Sequence, residues 1–195
     1  MHQKRIPKLK IYLDSPMATA VSKVLLDYYD FIKNEDLMRV LTQQFEVVSD
    51  HRASRAIVHM MEPKIVIAGS GMITGGRILH HLEAHIENPD TLVVLPGFQA
   101  VGTRGHSLAS GTPDVKFFGK YYKVNAEIVQ MGGLSAHADR EEIVEWIGDG
   151  KAIPKRIVLN HGESSASDSL RAKLEYEFGI PVSVASDDME MILDF

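Results

Sequence analysis

Apolar and polar positions alternate in blocks that change period several times along the chain, and each change marks an element boundary. Lys10 to Leu13 is a short apolar run that stops at Asp14-Ser15-Pro16, where proline ends a ladder and Ser or Asp can cap the next helix. From Ala18 to Ile32 the apolar residues Ala20, Val21, Val24, Leu25, Tyr28, Phe31 and Ile32 recur at intervals of three and four, which predicts a helix. Glu35 to Gln44 repeats that spacing less cleanly. Phe45 to Val48 reads as a strand, Ala53 to Met61 as a helix closed by Pro63, and Lys64 to Ala68 as a buried strand. Helical spacing returns from Ile73 to Ile86, Asn88-Pro89-Asp90 makes a turn, and Thr91 to Leu95 is another buried strand. Gly97, Gly102, Gly105 and Gly111 then punctuate a loop-rich crossing, and Tyr121 to Met131 reads as extended.

The last third keeps the alternation. Asp139-Arg140-Glu141-Glu142 is a capping-box pattern that opens a helix through Ile147, with Trp146 expected in the core. Arg156 to Leu159 predicts a strand, and Ser167 or Asp168 can cap a helix through Phe178 that Gly179 terminates. Val182 to Ala185 and Met189 to Phe195 look like closing strands. Strands alternating with helices in such short units predict an α/β fold: a mostly parallel sheet with flanking helices, its faces covered.

Composition narrows the functional classes. The 195 residues, 45% hydrophobic and 24% charged, support one ordinary core or one and a partial second. A formal net charge of -5 gives no global basic footprint, so nucleic-acid contact has to come from a local patch or from geometry. Without cysteine there is no disulfide framework and no thiolate metal site. That fits a reducing, cytoplasmic setting, and no apolar run approaches the length of a membrane span.

Candidate chemistry concentrates in three places. His161, in Leu159-Asn160-His161-Gly162-Glu163, follows a strand, so its imidazole projects where α/β proteins place ligands and can bind zinc; the competing reading is a hydrogen-bonded structural histidine. His137, in Gly133-Leu134-Ser135-Ala136-His137-Ala138-Asp139, precedes a helix N-terminus where free N–H groups can hold a phosphate, or it is incidental to a capping loop. Gly69-Ser70-Gly71-Met72 after a strand is the third, since small residues let backbone approach an anion closely. The dinucleotide fingerprint fails because the third glycine comes one position late, and neither a Walker lysine nor a nucleophile elbow is present. His80, His81 and His85 lack the zincin pattern and predict surface or packing roles. Asp14 is either a cap or a site residue, and Arg104 with His106 either touches an anion or lies in a solvated loop.

The succession Ile11-Tyr12-Leu13-Asp14-Ser15-Pro16-Met17-Ala18, Ala68-Gly69-Ser70-Gly71-Met72, Gly76-Arg77-Ile78-Leu79-His80-His81-Leu82, Gly97-Phe98-Gln99, Gly102-Thr103-Arg104-Gly105, Gly133 to Asp139 and Asn160-His161-Gly162-Glu163 resembles the β-CASP branch of the metallo-β-lactamase superfamily. That branch holds RNA-processing nucleases related to the cleavage and polyadenylation endonuclease and to ribonuclease J. The resemblance covers nearly the whole chain, in order. It implies a β-CASP domain over 7–134, entered after its N-terminal part, and then, over 135–195, the C-terminal βαβ segment of a metallo-β-lactamase fold.

The resemblance also implies roles. His161 corresponds to the family's late zinc-binding histidine, and His137 to the catalytic histidine at the scissile phosphate. Ser70, Gly71, Ser135 and Ala136 fall where such enzymes line the RNA phosphate path. The implied reaction is phosphodiester hydrolysis at two zinc ions. No H-x-H-x-D-H pattern occurs in the chain, however, and Asn160 stands where the family has an apolar residue. The expectation is therefore the C-terminal portion of a zinc-dependent RNA nuclease, inactive alone, not fully binding zinc, and dependent on the missing lactamase half or on self-association. The alternative is a non-catalytic RNA-binding or assembly module of the same type.

Overall fold

The computed structural model describes residues 5–28, 45–134, 137–187 and 189–190. The chain divides into two compact units, Met1–Ser135 and Ala136–Phe195. The architecture is α/β with small, largely parallel sheets. No helix among the described residues is long and apolar enough to cross a membrane.

In the first unit β1 (Lys10–Asp14) lies between β2 (Phe45–Val47) and β3 (Lys64–Ala68), both parallel to it, with Leu13 opposite Val47 and Asp14 opposite Ala68. All three strands therefore end on the same edge. Helix α1 (Pro16–Asp27) leaves that edge with Pro16 in its first turn and Ser15 as N-cap, the Ser15 hydroxyl accepting from Ala18 N at 3.2 Å. Helix α2 (His51–Val58) is capped by Asp50, which accepts from Ala53 N at 2.8 Å. Helix α3 (Ile78–His85) leads through the Asn88 turn into β4 (Leu92–Leu95).

Helix α4 (Arg104–Ala109) is next, then an antiparallel hairpin of β5 (Asp114–Phe117) and β6 (Lys120–Lys123), and β7 (Glu127–Gln130) pairs parallel with β4. The hairpin turns through Phe118 and Gly119 at φ 47° and 88°, the double left-handed turn that matches strand twist. Its inward residues Val115 and Phe117 join Ile73, Leu82, Ile86, Val93, Leu95 and Leu108 in the main core, while Tyr12, Val48 and Ile57 form a smaller one.

A buried ion cluster joins the strand edge to α2 and α3. The Asp14 carboxylate has no exposed surface; Arg77 Nη1 donates to its Oδ1 at 2.7 Å, and Ser54 Oγ and His81 Nε2 meet its Oδ2 at 2.7 and 2.8 Å. Arg77 also donates to the Val48 carbonyl at 3.2 Å. Burial pushes the Asp14 carboxyl up, but donation from His81, Ser54 and Arg77 outweighs it and holds the group below the usual carboxylate range. For His81, burial wins over the attraction of Asp14 and pushes the imidazole down. Its Nδ1 is buried with no partner among the described residues, which favours the neutral ring with the proton on Nε2, donating to Asp14.

In the second unit α5 (Arg140–Gly148) precedes β8 (Ile157–Leu159), α6 (Ser164–Phe178) and β9 (Val182–Val184), with β8 and β9 parallel. The predicted capping box forms: Asp139 accepts from Glu142 N at 2.9 Å while Asp139 N donates to the Glu142 carboxylate at 2.8 Å. Gly179 ends α6 at φ 63°, as its position implies. Contacts of Arg140 with Ser169, Glu141 with Lys173 and Gly148 with Phe178 lay α5 alongside α6 in the same direction.

Several expectations shift. The helix expected from Ile73 begins at Ile78, because Ile73 at φ 58° and Gly76 at φ 79° hold a loop whose carbonyls are claimed by distant partners. Asp14 does not cap α1; the neighbouring Ser15 hydroxyl does. Helix α6 starts at Ser164 rather than behind Ser167 or Asp168, and Ser167 is buried against Gly162, where a Cβ would come within 2.1 Å of its hydroxyl. Trp146 is 77% exposed, not core. Tyr121 to Met131 splits into β6 and β7 because Asn125 and Ala126 donate to the Ile86 carbonyl and turn the chain. The weak pattern at Glu35–Gln44, the end of the first stripe and 191–195 lie outside the described residues, and Met189 and Glu190 belong to no element.

Removing the Asp14 carboxylate strands the Arg77 charge, so Asp14→Ala lowers unfolding free energy by about 3–5 kcal/mol in urea titration, whereas Glu46→Ala, at an exposed pair with Lys10, costs well under 1 kcal/mol. Acid acts through the same cluster. Because the folded His81 pKa lies below its ordinary 6.5, the unfolded chain binds the extra proton, so stability is full above that value and declines as pH falls through it. Asp14 adds a second decline below its ordinary 3.8. Denaturation midpoints between pH 8 and 5 measure the first decline, and His81→Gln removes the part owed to this ring.

Candidate functional site

The first candidate surface is the loop from Gly69 to Gly76, which leaves β3 beside the N-cap of α1. An added Cβ at Gly69 would stand 3.2 Å from Ser15 Oγ, and one at Gly76 would stand 2.7 Å from the Gly69 carbonyl, so both glycines permit close backbone approach. Five successive carbonyls are engaged. Gly69 accepts from Ile78 N, Ser70 from Ile73 N, Gly71 from the Gln99 amide at 3.1 Å, Met72 from Gly105 N at 3.1 Å and Ile73 from Arg104 Nη1 at 3.1 Å. With its carbonyls drawn to these donors, the loop retains backbone N–H groups at Ser70, Gly71 and Met72 that donate to no acceptor among the described residues. Gly71 is exposed, with nothing within 4 Å of an added Cβ. The Ser70 hydroxyl lies 3.0 Å from Thr74 Oγ1. Unpaired N–H groups beside open space can receive an anion.

Gln99 and Gly105 fix this loop; both lie in motifs that carry the resemblance, but nothing in the sequence shows that they act on this loop. Gln99 is buried and donates to both Gly71 and Gly97, while a Cβ on Gly105 would fall 1.7 Å from Gln99 Oε1. Arg104 is half-buried and structural as well, since its Nε donates to the Lys116 carbonyl at 2.7 Å. His106 contributes its backbone to the α4 cap, donating to Thr103 Oγ1 at 3.2 Å. The three helical histidines pack: His81 on Asp14, His85 Nε2 at 2.7 Å from the Val58 carbonyl, and His80 stacked on Phe118 with centroids 4.8 Å apart.

The second unit holds both candidate histidines. His161 is exposed two residues beyond β8, at φ 64°, with its N–H donating to the Asn160 side chain at 2.9 Å. A left-handed backbone at a non-glycine residue is costly and concentrates at functional positions. The contact between Gly162 and Ser167 presses the following turn onto α6. His137 is exposed, just ahead of the Asp139 cap. Helix α6 begins at the carboxyl end of β8, and the pairing of Arg140 with Ser169 brings the start of α5 to the same half of α6. Both histidines therefore lie at one end of this unit. Ser135 and Ala136 lie outside the described residues.

The surroundings of the two histidines bound the chemistry open to them. The capping box of α5 takes the N–H groups of Asp139 and Glu142, and Glu141 and Glu142 sit in its first turn, so its dipole already faces carboxylates. A phosphate near His137 would compete with those carboxylates for the N–H groups that the box leaves. Catalytic zinc needs three protein ligands, and no cluster of three or more histidine, aspartate or glutamate side chains that could hold a metal occurs among the described residues. His161 can supply one donor; the described residues do not by themselves fit a zinc ion.

Residues 1–108 match the Beta-Casp domain, and residues 121–185 match the Zn-dependent metallo-hydrolase RNA specificity domain. The chain belongs to the β-CASP branch of the metallo-β-lactamase superfamily. It is 36% identical over 171 residues to Ribonuclease TTHA0252 of Thermus thermophilus, an overlap of 83% of this chain and 38% of that protein. To Transcription termination factor FttA of Methanosarcina mazei it is 29% identical over 192 residues, 88% of this chain and 30% of the relative. To the RNase J-like protein of Methanocaldococcus jannaschii it is 27% identical over 183 residues, 92% of this chain and 42% of the relative. This β-CASP chain thus spans between 30% and 42% of the length of these relatives.

The clamp on the β-CASP loop gives a direct test. Gly105→Ala must displace the Gln99 amide and release the Gly71 carbonyl. Amide exchange at Ile73 and Thr74, whose N–H groups are bonded to Ser70, accelerates, and unfolding free energy falls by about 1–3 kcal/mol.

Proposed function

We propose that this chain is the C-terminal portion of a zinc-dependent β-CASP ribonuclease, supplying RNA contacts and two histidines to an active site completed by another part of the protein. The observation that carries the reading is the pair of exposed histidines at one end of the second unit, one on a strained left-handed backbone, without a metal cluster among the described residues. The family is zinc-dependent, and the names of its members support RNA as substrate. On this reading, 135–195 is the segment that completes the metallo-β-lactamase fold.

In the assembled enzyme His161 would ligate zinc as a neutral imidazole. With the remaining ligands supplied by another part of the protein, zinc held there would furnish hydroxide and polarise the phosphate. The residues of this chain do the rest: Ser70 and Gly71 hold an RNA phosphate through backbone N–H groups, and Ser135 and Ala136 are the further phosphate contacts that the family resemblance implies. His137, beside the scissile phosphate, donates a proton to the leaving oxygen.

Three measurements test this. The chain alone, with zinc added, binds RNA but does not cleave it; robust cleavage with two tightly held zinc ions overturns the reading. Joined to a segment carrying the H-x-H-x-D-H motif, it gains hydrolysis that His137→Ala or His161→Ala reduces by about 100-fold or more. Gly71→Asp, which places a carboxylate beside the exposed N–H groups, weakens RNA binding by about 10-fold or more.

A further inference from the structure

We propose that the β5–β6 hairpin is a docking surface for single-stranded RNA, in which Tyr121 stacks on a base and Lys116 and Lys120 engage neighbouring phosphates. The inference rests on the reading of this chain as RNA-binding and extends it to a surface outside the Ser70–Gly71 loop.

From Val115 to Val124 the sequence carries Lys116, Lys120 and Lys123 and no acidic residue, in a chain of net charge -5. The pleat sorts this stretch. Val115 and Phe117 go to the core, while Lys116 and Tyr121 stand directly opposite each other on the outer face, the Lys116 ammonium 5.4 Å from the Tyr121 ring centroid; Lys120, paired with Phe117, starts from the other face and is exposed at the hairpin tip, where its long side chain can serve the same strand. Tyr121 is 72% exposed, and Phe118 at the hairpin tip is 53% exposed with His80 stacked against it. Neither Lys116 nor Lys120 has a carboxylate within salt-bridge distance among the described residues. The far corner is different. Lys123 faces Asp114 across the hairpin, and its N–H donates to the Glu87 carboxylate at 3.0 Å, so the usable charge centres on Lys116 and Lys120.

Exposed rings interleaved with unpaired lysines are what a single strand requires, since bases stack without regard to sequence and phosphates follow the charge. A neutral apolar ligand would leave the lysines unused, and a bare anion would leave the rings unused. The surface is also tied to the candidate phosphate loop. One guanidinium, Arg104, donates to the Lys116 carbonyl at the hairpin and to the Ile73 carbonyl in the loop, so the two lie side by side within one unit. RNA held at Ser70–Gly71 has the hairpin within its path.

The test is fluorescence anisotropy of the full chain with a labelled single-stranded RNA of about 12 nucleotides. Tyr121→Ala weakens binding about 5-fold or more, Tyr121→Phe stays within about 2-fold, and Lys116→Ala and Lys120→Ala each reduce the slope of log affinity against log salt by about 0.7. Thermal unfolding at the parent midpoint confirms that exposed Tyr121 is not needed for folding. Parent-like affinity and salt slope in all three alanine variants, with binding still weakened by Gly71→Asp, overturns the hairpin surface and leaves the broader reading intact. A parent chain that binds no RNA overturns both.

Discussion

Asp14 sits at the carboxyl end of β1 with no exposed surface, and the cost of taking its charge out of water is met only because three separate segments aim donors at it. Ser54 comes from α2, Arg77 from the turn into α3, and His81 from the first turns of α3. These partners have to arrive together, since any one missing leaves a buried charge or a buried polar group unmatched. Arg77 then reaches on to the Val48 carbonyl beyond β2, so the cluster ties the ends of β1 and β2 to two helices.

The loop after β3 inherits this geometry. Arg77 and Ile78 hold its end, the packing of Gly69 on Ser15 holds its start, and Gln99, Arg104 and Gly105 hold the middle from the following segment. Drawing carbonyls toward those donors leaves N–H groups for a ligand, so the same bonds that stiffen the loop also give it an electropositive side. Arg104 carries the arrangement one step further, to the hairpin with its exposed ring and lysines.

The second unit is organised differently. Its βαβ core is small, with Leu174 and Val182 buried, and its capping box is purely local. The left-handed backbone of His161 and the packing of Gly162 on Ser167 show strain retained beside an exposed imidazole. Trp146 and Tyr176 remain largely exposed on its helices. On the proposed reading, two exposed histidines without a metal cluster among the described residues are chemistry that this unit shares with another part of the protein, in keeping with a chain that spans only part of its relatives' length.

Local physics made much of this legible from sequence. Period and punctuation located the parallel strands, the Asp139 capping box and the Gly179 terminus, because each depends on neighbours a few residues away, and the ordered glycine and histidine motifs carried the family. Other features depended on distant partners. Asp14 stayed open between a cap and a site residue because nothing near it in sequence reveals Arg77 or His81, although an arginine and a histidine four positions apart on one helical stretch are the signal that could have paired with it. Ile73 continued a helical pattern, yet the bonds from Gln99, Arg104 and Gly105 bend its backbone away from the helix. Trp146 was assigned to the core by residue type, but exposure is set by what packs over it. Sequence alone determined most of the elements and the family they belong to; only the tertiary structure decided which polar groups are consumed in holding the fold and which remain for a ligand, because that depends on contacts between segments far apart in the chain.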